Sequence, residues 1–202
     1  MPHPDSPTNA TRPCTGTLKL TGSADNTANL TVQAGALELA AAGTAANDLT
    51  LNSGTTLNIS GPNQNVTGLV TLNSGSVMNL TVTGTSLPSL TAGEMDLKDG
   101  SKVEIRFSDS ANPFAIGTLE LLTADQFKVN GTPVTSEDSM QSLLDNFVRL
   151  NADWAQLSFV PNGTTGYTVL LQTNFNALPE PSAWLLALLG FAGLGLLRRR
   201  HG

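Results

Sequence analysis

Leu49-Thr50-Leu51-Asn52-Ser53-Gly54-Thr55-Thr56-Leu57-Asn58-Ile59 carries the pattern from which the fold is read. Leu49 and Leu51 alternate with Thr50 and Asn52, and Leu57 and Ile59 alternate with Thr56 and Asn58. A period of two marks half-buried strands, because successive side chains leave opposite faces of an extended backbone. Asn52-Ser53-Gly54 separates the two pairs, and the glycine can take the positive φ that a tight corner requires. The phrase returns as Val70-Thr71-Leu72-Asn73-Ser74-Gly75, followed by Met78 and Leu80.

Working outward, the same frame appears twice more. Leu30 and Val32 precede Gly35, with Leu37 and Leu39 after it; Met95 and Leu97 precede Gly100, with Val103 and Ile105 after it. Gly16 with Leu18 and Leu20 reads as the back half of an earlier unit, so the glycines are spaced 19, 19, 21 and 25 residues apart. A unit of about 20 residues with two short strands cannot bury its own apolar face, so successive units must stack. The expectation is an all-β chain whose residues 16–107 form a short right-handed parallel β-solenoid. Leu and Val columns would lie inside, with Thr and Asn outside. Strand–turn–strand describes a hairpin equally well, so an antiparallel hairpin array stays open as the alternative. The Leu-x-x-Leu-x-Leu-x-x-Asn pattern of a leucine-rich repeat is missing. The units loosely resemble the passenger-type β-helical repeats of autotransporter adhesins.

The repeat stops near Ser108, and residues 108–173 read as a mixed cap. Thr118 to Leu122 and Lys128-Val129 suggest short strands. Thr135 to Asp138 has the form of a capping box ahead of Met140, Leu143, Leu144 and Phe147, an i, i+3, i+4, i+7 stripe that predicts one amphipathic helix. Leu157 to Val160 and Tyr167 to Leu171, separated by Pro161-Asn162-Gly163, predict a closing hairpin. Residues 1–15 read as a disordered N-terminal segment and residues 174–181 as a linker.

The C-terminus has a different character. After Pro179-Glu180-Pro181, the chain runs through Trp184, Leu185, Leu186, Leu188, Leu189, Phe191, Leu194, Leu196 and Leu197 without a charge, then ends on Arg198, Arg199, Arg200, His201 and Gly202. A bilayer span takes about 17–25 residues, which this stretch just reaches. Gly190, Gly193 and Gly195 suit close packing in a membrane helix, Trp184 stands at an interfacial position, and the arginines are a positive-inside stop. Residues 182–202 therefore predict one transmembrane helix with a cytoplasmic basic tail. A buried core helix is the alternative.

Pro-Glu-Pro, a short membrane segment and an arginine cluster together resemble the PEP-CTERM sorting signal of Gram-negative bacteria. The resemblance covers residues 178–202. It implies an exosortase as partner, a membrane protease that processes the tail near the motif. It also implies an exported protein held in transit at the inner membrane before reaching the cell surface or extracellular space, in bacteria that make exopolysaccharide or biofilm. Export calls for a basic n-region and an apolar h-region of about 7–15 residues. The stretch from Met1 to Gly16 has no apolar core, so an in-frame leader is expected upstream of Met1.

Composition narrows the chemistry. Only 13% of residues are charged, against about 25% in typical domains. The net charge is −6 even with the three tail arginines included, which argues against nucleic-acid binding. Cys14 is the single cysteine, so no internal disulfide can form. His3 and His201 are the only histidines, at the two ends, which removes histidine-based triads and zinc sites. No phosphate-binding Gly-rich loop with its lysine occurs. Glu94, Asp96, Asp99, Glu104 and Asp109 form an acidic cluster that could serve a glycosidase or a Ca²⁺ ion. In the alternation, however, Asp96 and Glu104 fall at outward positions, which predicts a solvated face. No catalytic residue, cofactor or metal site is therefore assigned. The expected function is a non-enzymatic surface or matrix protein that contacts polysaccharide. The alternative is a small β-helical polysaccharide lyase or hydrolase using Asp96, Asp99 or Glu104.

Overall fold

The computed structural model describes residues 16–21, 28–83, 87–108 and 118–173. These residues are mostly β, with one helix among them. The tail motif Pro179-Glu180-Pro181, the apolar run and the terminal arginines all lie outside the described residues, as do Cys14 and both histidines. Among the described residues, no helix is long and apolar enough to cross a membrane.

The two strands of each repeat enter different sheets. The first sheet is parallel throughout and has the order β1 (Thr17–Leu20), β3 (Ala36–Leu39), β6 (Thr56–Ile59), β8 (Val77–Val82), β10 (Lys102–Phe107) and β13 (Val148–Leu150). The second contains β2 (Leu30–Val32), β5 (Leu49–Leu51), β7 (Gln64–Leu72), β9 (Leu90–Leu97) and β11 (Thr118–Val129), again parallel neighbours in that order. The chain alternates between the sheets, and each strand pairs with its equivalent one repeat away. An antiparallel array of hairpins is thereby excluded for the repeats.

Register follows the glycine alignment. Leu18, Leu37, Leu57, Met78, Val103 and Val148 stand opposite one another across the first sheet. Leu30, Leu49, Val70, Met95 and Phe127 do so across the second. A slip of one residue would turn each set outward, so burial of these columns pins the pairing. Leu49, Leu57, Val70, Met78, Met95 and Val103 are fully buried, and apart from the exposed Leu18 both columns belong to one continuous core.

The corner between β5 and β6 shows why the repeat carries Asn-Ser-Gly. Gly54 has φ +73°, and the equivalent Gly75 has φ +77°. Thr55 and Ser76, just after the glycines, point inward at 1% and 0% exposure. Each hydroxyl donates to the carbonyl three residues back, Thr55 to Asn52 and Ser76 to Asn73, both at 2.7 Å. Successive corners are tied by Gly54 N–H to Gly75 C=O at 3.2 Å and Gly75 N–H to Gly100 C=O at 3.1 Å.

Three features depart from the expectations. Each later rung has an additional extended segment. The short strand β4 (Gly43–Ala46) pairs with the first part of β7, and the register of β7 with β9 shifts between Val66 and Leu69. The predicted short strands at Thr118 to Leu122 and Lys128-Val129 are one strand, β11. Pairing with β9 from Leu122 to Val129 keeps Thr123 to Phe127 extended, and β15 (Gly166–Thr173) pairs with the other side of β11 as far as Ala124. The helix α1 (Glu137–Phe147) is capped by Ser136, one residue later than expected, with Ser139 rather than Asp138 completing the capping box. A serine hydroxyl at that position reaches back to the Ser136 N–H at 3.1 Å.

The C-terminal end is closed by mixed structure. α1 buries Met140, Leu143, Leu144 and Phe147 in the common core, as the stripe predicts. A short strand, β12 (Thr132–Pro133), turns back on β11 through Asn130-Gly131. The predicted hairpin is present as β14 (Ala155–Asn162) and β15, with Pro161 and Asn162 inside the first strand and the turn beginning at Gly163.

Candidate functional site: outer rows and carboxylates

With the apolar columns inside, the alternate residues form rows on the outer faces. On the first sheet, Lys19, Glu38, Asn58, Asn79, Glu104 and Arg149 share one row. On the second, the row reads Thr31, Thr50, Thr71, Asp96 and Lys128. Neighbours in such a row are one strand spacing apart, about 4.8 Å. Like side chains at that spacing can join in ladders. Asn79 Nδ2 donates to Asn58 Oδ1 at 2.9 Å, and Asn73 Nδ2 to Asn52 Oδ1 at 3.5 Å. At another corner, Thr67 Oγ1 donates to Asn47 Oδ1 at 3.1 Å, and Asn47 Nδ2 donates to Asn29 Oδ1 at 3.0 Å. Sequence reading placed Thr and Asn outside but did not find the Asn29–Asn47–Thr67 chain. Those positions fall between the repeated phrases, and only stacking brings them together.

The row on the first sheet starts with an ion pair. Lys19 Nζ lies 2.7 Å from Glu38 Oε1, and Ser60 Oγ donates to the same oxygen at 3.2 Å. The lysine hydrogen bond holds the Glu38 carboxyl below its ordinary value, against the opposing effect of burial and with help from Ser60.

The acidic cluster is divided among separate partners. Glu94 pairs with Lys128 at 2.6 Å, and Asp96 with Lys98 at 2.5 Å. Glu104 accepts from Arg106 Nε at 3.0 Å and from Arg106 Nη2. Glu94 and Asp96 lie on β9 in the second sheet, and Glu104 on β10 in the first. Asp99 stands exposed in the turn between them, where its backbone N–H donates to Asn130 Oδ1 at 3.0 Å. Asp109 lies outside the described residues. Among the described residues, no group of three or more histidine, cysteine, aspartate or glutamate side chains is placed to hold a metal ion.

Asp96 requires a correction. Its outward position predicted a solvated carboxylate, but the residue is only 7% exposed. The turn joining β11 to β12 comes over it, and Gly131 N–H donates to Asp96 Oδ1 at 2.9 Å. With Lys98 on the other oxygen, Asp96 fastens the cap to the last repeat. Nothing in the local sequence of β9 announces this, since the donor is 35 residues later.

An open cleft of about 520 Å³ lies between α1 and the β11–β12 turn. Asp99, Ser139, Ser142 and Asn146 give it polar walls, and Val134, Leu143 and Phe147 an apolar floor. Asp99 is the single carboxylate lining it, and the ion-paired Glu94, Asp96 and Glu104 do not reach it. General acid–base hydrolysis of a glycoside takes two carboxyl groups about 5–9.5 Å apart across the bond. The cleft does not present that pair. No family model, curated protein or solved structure matches the chain.

Proposed function

We propose that this chain is an exported, non-enzymatic component of the cell surface or extracellular matrix. Its body would be a short right-handed parallel β-solenoid, and its C-terminal tail the signal through which an exosortase sorts it. The observation that carries the reading for the body is the pair of outer rows. Thr31, Thr50 and Thr71 on the second sheet and Asn58 and Asn79 on the first set hydroxyls and amides at strand spacing, and the carboxylates within the rows, Glu38, Asp96 and Glu104, are paired to cations, as is Glu94 beside them. A lattice of that kind suits repeated hydrogen bonding to a polysaccharide, as in an exopolysaccharide or biofilm matrix, and does not concentrate charge for chemistry. The tail rests on its resemblance to the PEP-CTERM signal: Pro179-Glu180-Pro181 for recognition, the run from Trp184 to Leu197 for transient inner-membrane anchoring, and Arg198 to Arg200 to hold the end in the cytoplasm.

Replacing Pro179-Glu180-Pro181 by alanines in a host with an exosortase is expected to leave the protein in the membrane with its tail intact, read by fractionation and intact mass. Release at the parental rate would reduce the tail to a plain anchor. The full-length protein is expected to bind neutral or acidic polysaccharides without releasing product. Cleavage that disappears in Asp99→Ala would overturn the non-enzymatic reading.

A further inference from the structure

Cations are few in this chain, and the fold gathers half of the described ones on one face. Lys19, Lys98, Lys102, Arg106, Lys128 and Arg149 are the lysines and arginines among the described residues. Lys102, Arg106 and Arg149 leave the outer face of the first sheet from its last two strands, β10 and β13. Period two puts them there, because their neighbours Val103, Ile105 and Val148 point into the core. All three cations are exposed.

Lys19, Lys98 and Lys128 each pair with a carboxylate. On β10 and β13 the single carboxylate is Glu104. It stands between Lys102 and Arg106, opposite Arg149 across the ladder, and pairs with Arg106. Lys102 has no ion-pair or hydrogen-bond partner among the described residues. Arg149 uses one nitrogen, Nη1, to donate to the carbonyls of Asp145 and Val148 at 2.9 and 3.0 Å. The Asp145 carboxylate accepts from Gln141 at 2.8 Å within α1. Asp153 comes only after the chain has left this sheet for β14. Three cations against one carboxylate leave this face positive in a chain whose net charge is −6.

Spacing narrows what such a face can take. Lys102 and Arg106 are four residues apart on one strand, about 13 Å, and Arg149 is one strand further across, about 4.8 Å. Sparse cations suit anionic groups set apart along a polymer. Duplex nucleic acid carries about one charge per 1.7 Å, and the net negative chain would repel that density. A guanidinium meets a planar carboxylate through paired N–H donors. Beside the cations, Thr81 on β8 and Thr56 on β6 add outward hydroxyls for the hydroxyls of a sugar.

We propose that the outer face of β10 and β13 binds acidic polysaccharide, with Lys102, Arg106 and Arg149 receiving the carboxylates of uronic acid units. The inference rests on the matrix reading above and narrows its ligand to the acidic class.

The test compares polygalacturonate with its methyl ester, which keeps the backbone and blocks the carboxylates, by calorimetry on the full chain in detergent. The acid should bind, more weakly as salt is raised, and the ester at least about tenfold more weakly. Lys102→Gln with Arg106→Gln should lower affinity for the acid by at least about tenfold while circular dichroism stays unchanged. Glu104→Gln removes the opposing charge and should raise it roughly threefold, a gain that a purely structural role would not produce. Lys98→Gln, which removes a cation from the second sheet, should leave it unchanged. Equal binding of acid and ester, or an affinity indifferent to the β10 variants, overturns this assignment and leaves the matrix reading standing. Tighter binding to a DNA duplex than to polygalacturonate also overturns it. Binding to neither polymer counts against the inference and the polysaccharide reading together.

Discussion

Two glycines do different work here, and single-residue replacement separates them. A Cβ on Gly54 would meet nothing within 4 Å, but its φ of +73° is a conformation that L-residues avoid. Gly54→Ala should therefore cost about 1–2 kcal/mol, the left-handed penalty alone. A Cβ on Gly61 would stand 2.5 Å from the Ala40 carbonyl oxygen, a backbone atom of the neighbouring rung. Gly61→Ala has to push two rungs apart, and about 3 kcal/mol or more is expected, at the upper end of single-residue effects. Urea unfolding midpoints check the order, and equal losses would mean that the Ala40 contact relaxes without cost. Gly54 was legible in the sequence because its corner recurs with Asn and Ser beside it. Gly61 was not, because what makes it necessary is an atom about one repeat earlier.

At the scale of the element, a row is as strong as its interruptions allow. Asn58 and Asn79 begin an amide ladder on the first sheet, but the next position is Glu104, which has no N–H to donate. Asn79 Oδ1 is left buried and without a hydrogen-bond partner. Glu104→Asn places an amide in register with Asn79 and supplies the missing donor. A gain of about 0.5–1.5 kcal/mol is expected, the net worth of one hydrogen bond to a buried acceptor. The lost pair with Arg106, whose side chain is 54% exposed, subtracts little from this. Thermal unfolding should show a higher midpoint, and a lower one would mean that the Arg106 pair holds the strand. The alternation predicted both members of the row and their outward direction. It misread Asp96, where period two correctly put the carboxylate on the outer face but could not show that a distant turn would cover it.

For the whole molecule, position along the stack sets what a core residue is worth. Leu57 and Leu18 occupy the same inward column, yet one is fully buried and the other is 42% exposed. Leu57→Ala leaves a cavity between neighbouring rungs and should cost about 2–5 kcal/mol. Leu18→Ala should cost less, about 1 kcal/mol, because its side chain is still partly in contact with water. Calorimetry on the two variants tests the difference. Losses of similar size would show that Leu18 is covered as well as Leu57.

The amino-acid sequence by itself determined the two strands that flank each repeat glycine, their inward and outward faces, the glycine corners and the helix stripe. All of these are local consequences of period-two and period-3.6 burial and of backbone freedom at glycine. It also carries the tail pattern, which is read in the order of its residues. Tertiary structure decided what local pattern leaves degenerate. Parallel and antiparallel pairing expose the same alternation, so only the register of Leu37 with Leu57 and Met78 tells them apart. The fusion of β11, the burial of Asp96 beneath Gly131, the Asn29–Asn47–Thr67 chain and the exposure of Leu18 each depend on groups 18 or more residues apart. Such contacts form when rungs stack, and stacking is a property of the assembled columns, which no single repeat contains.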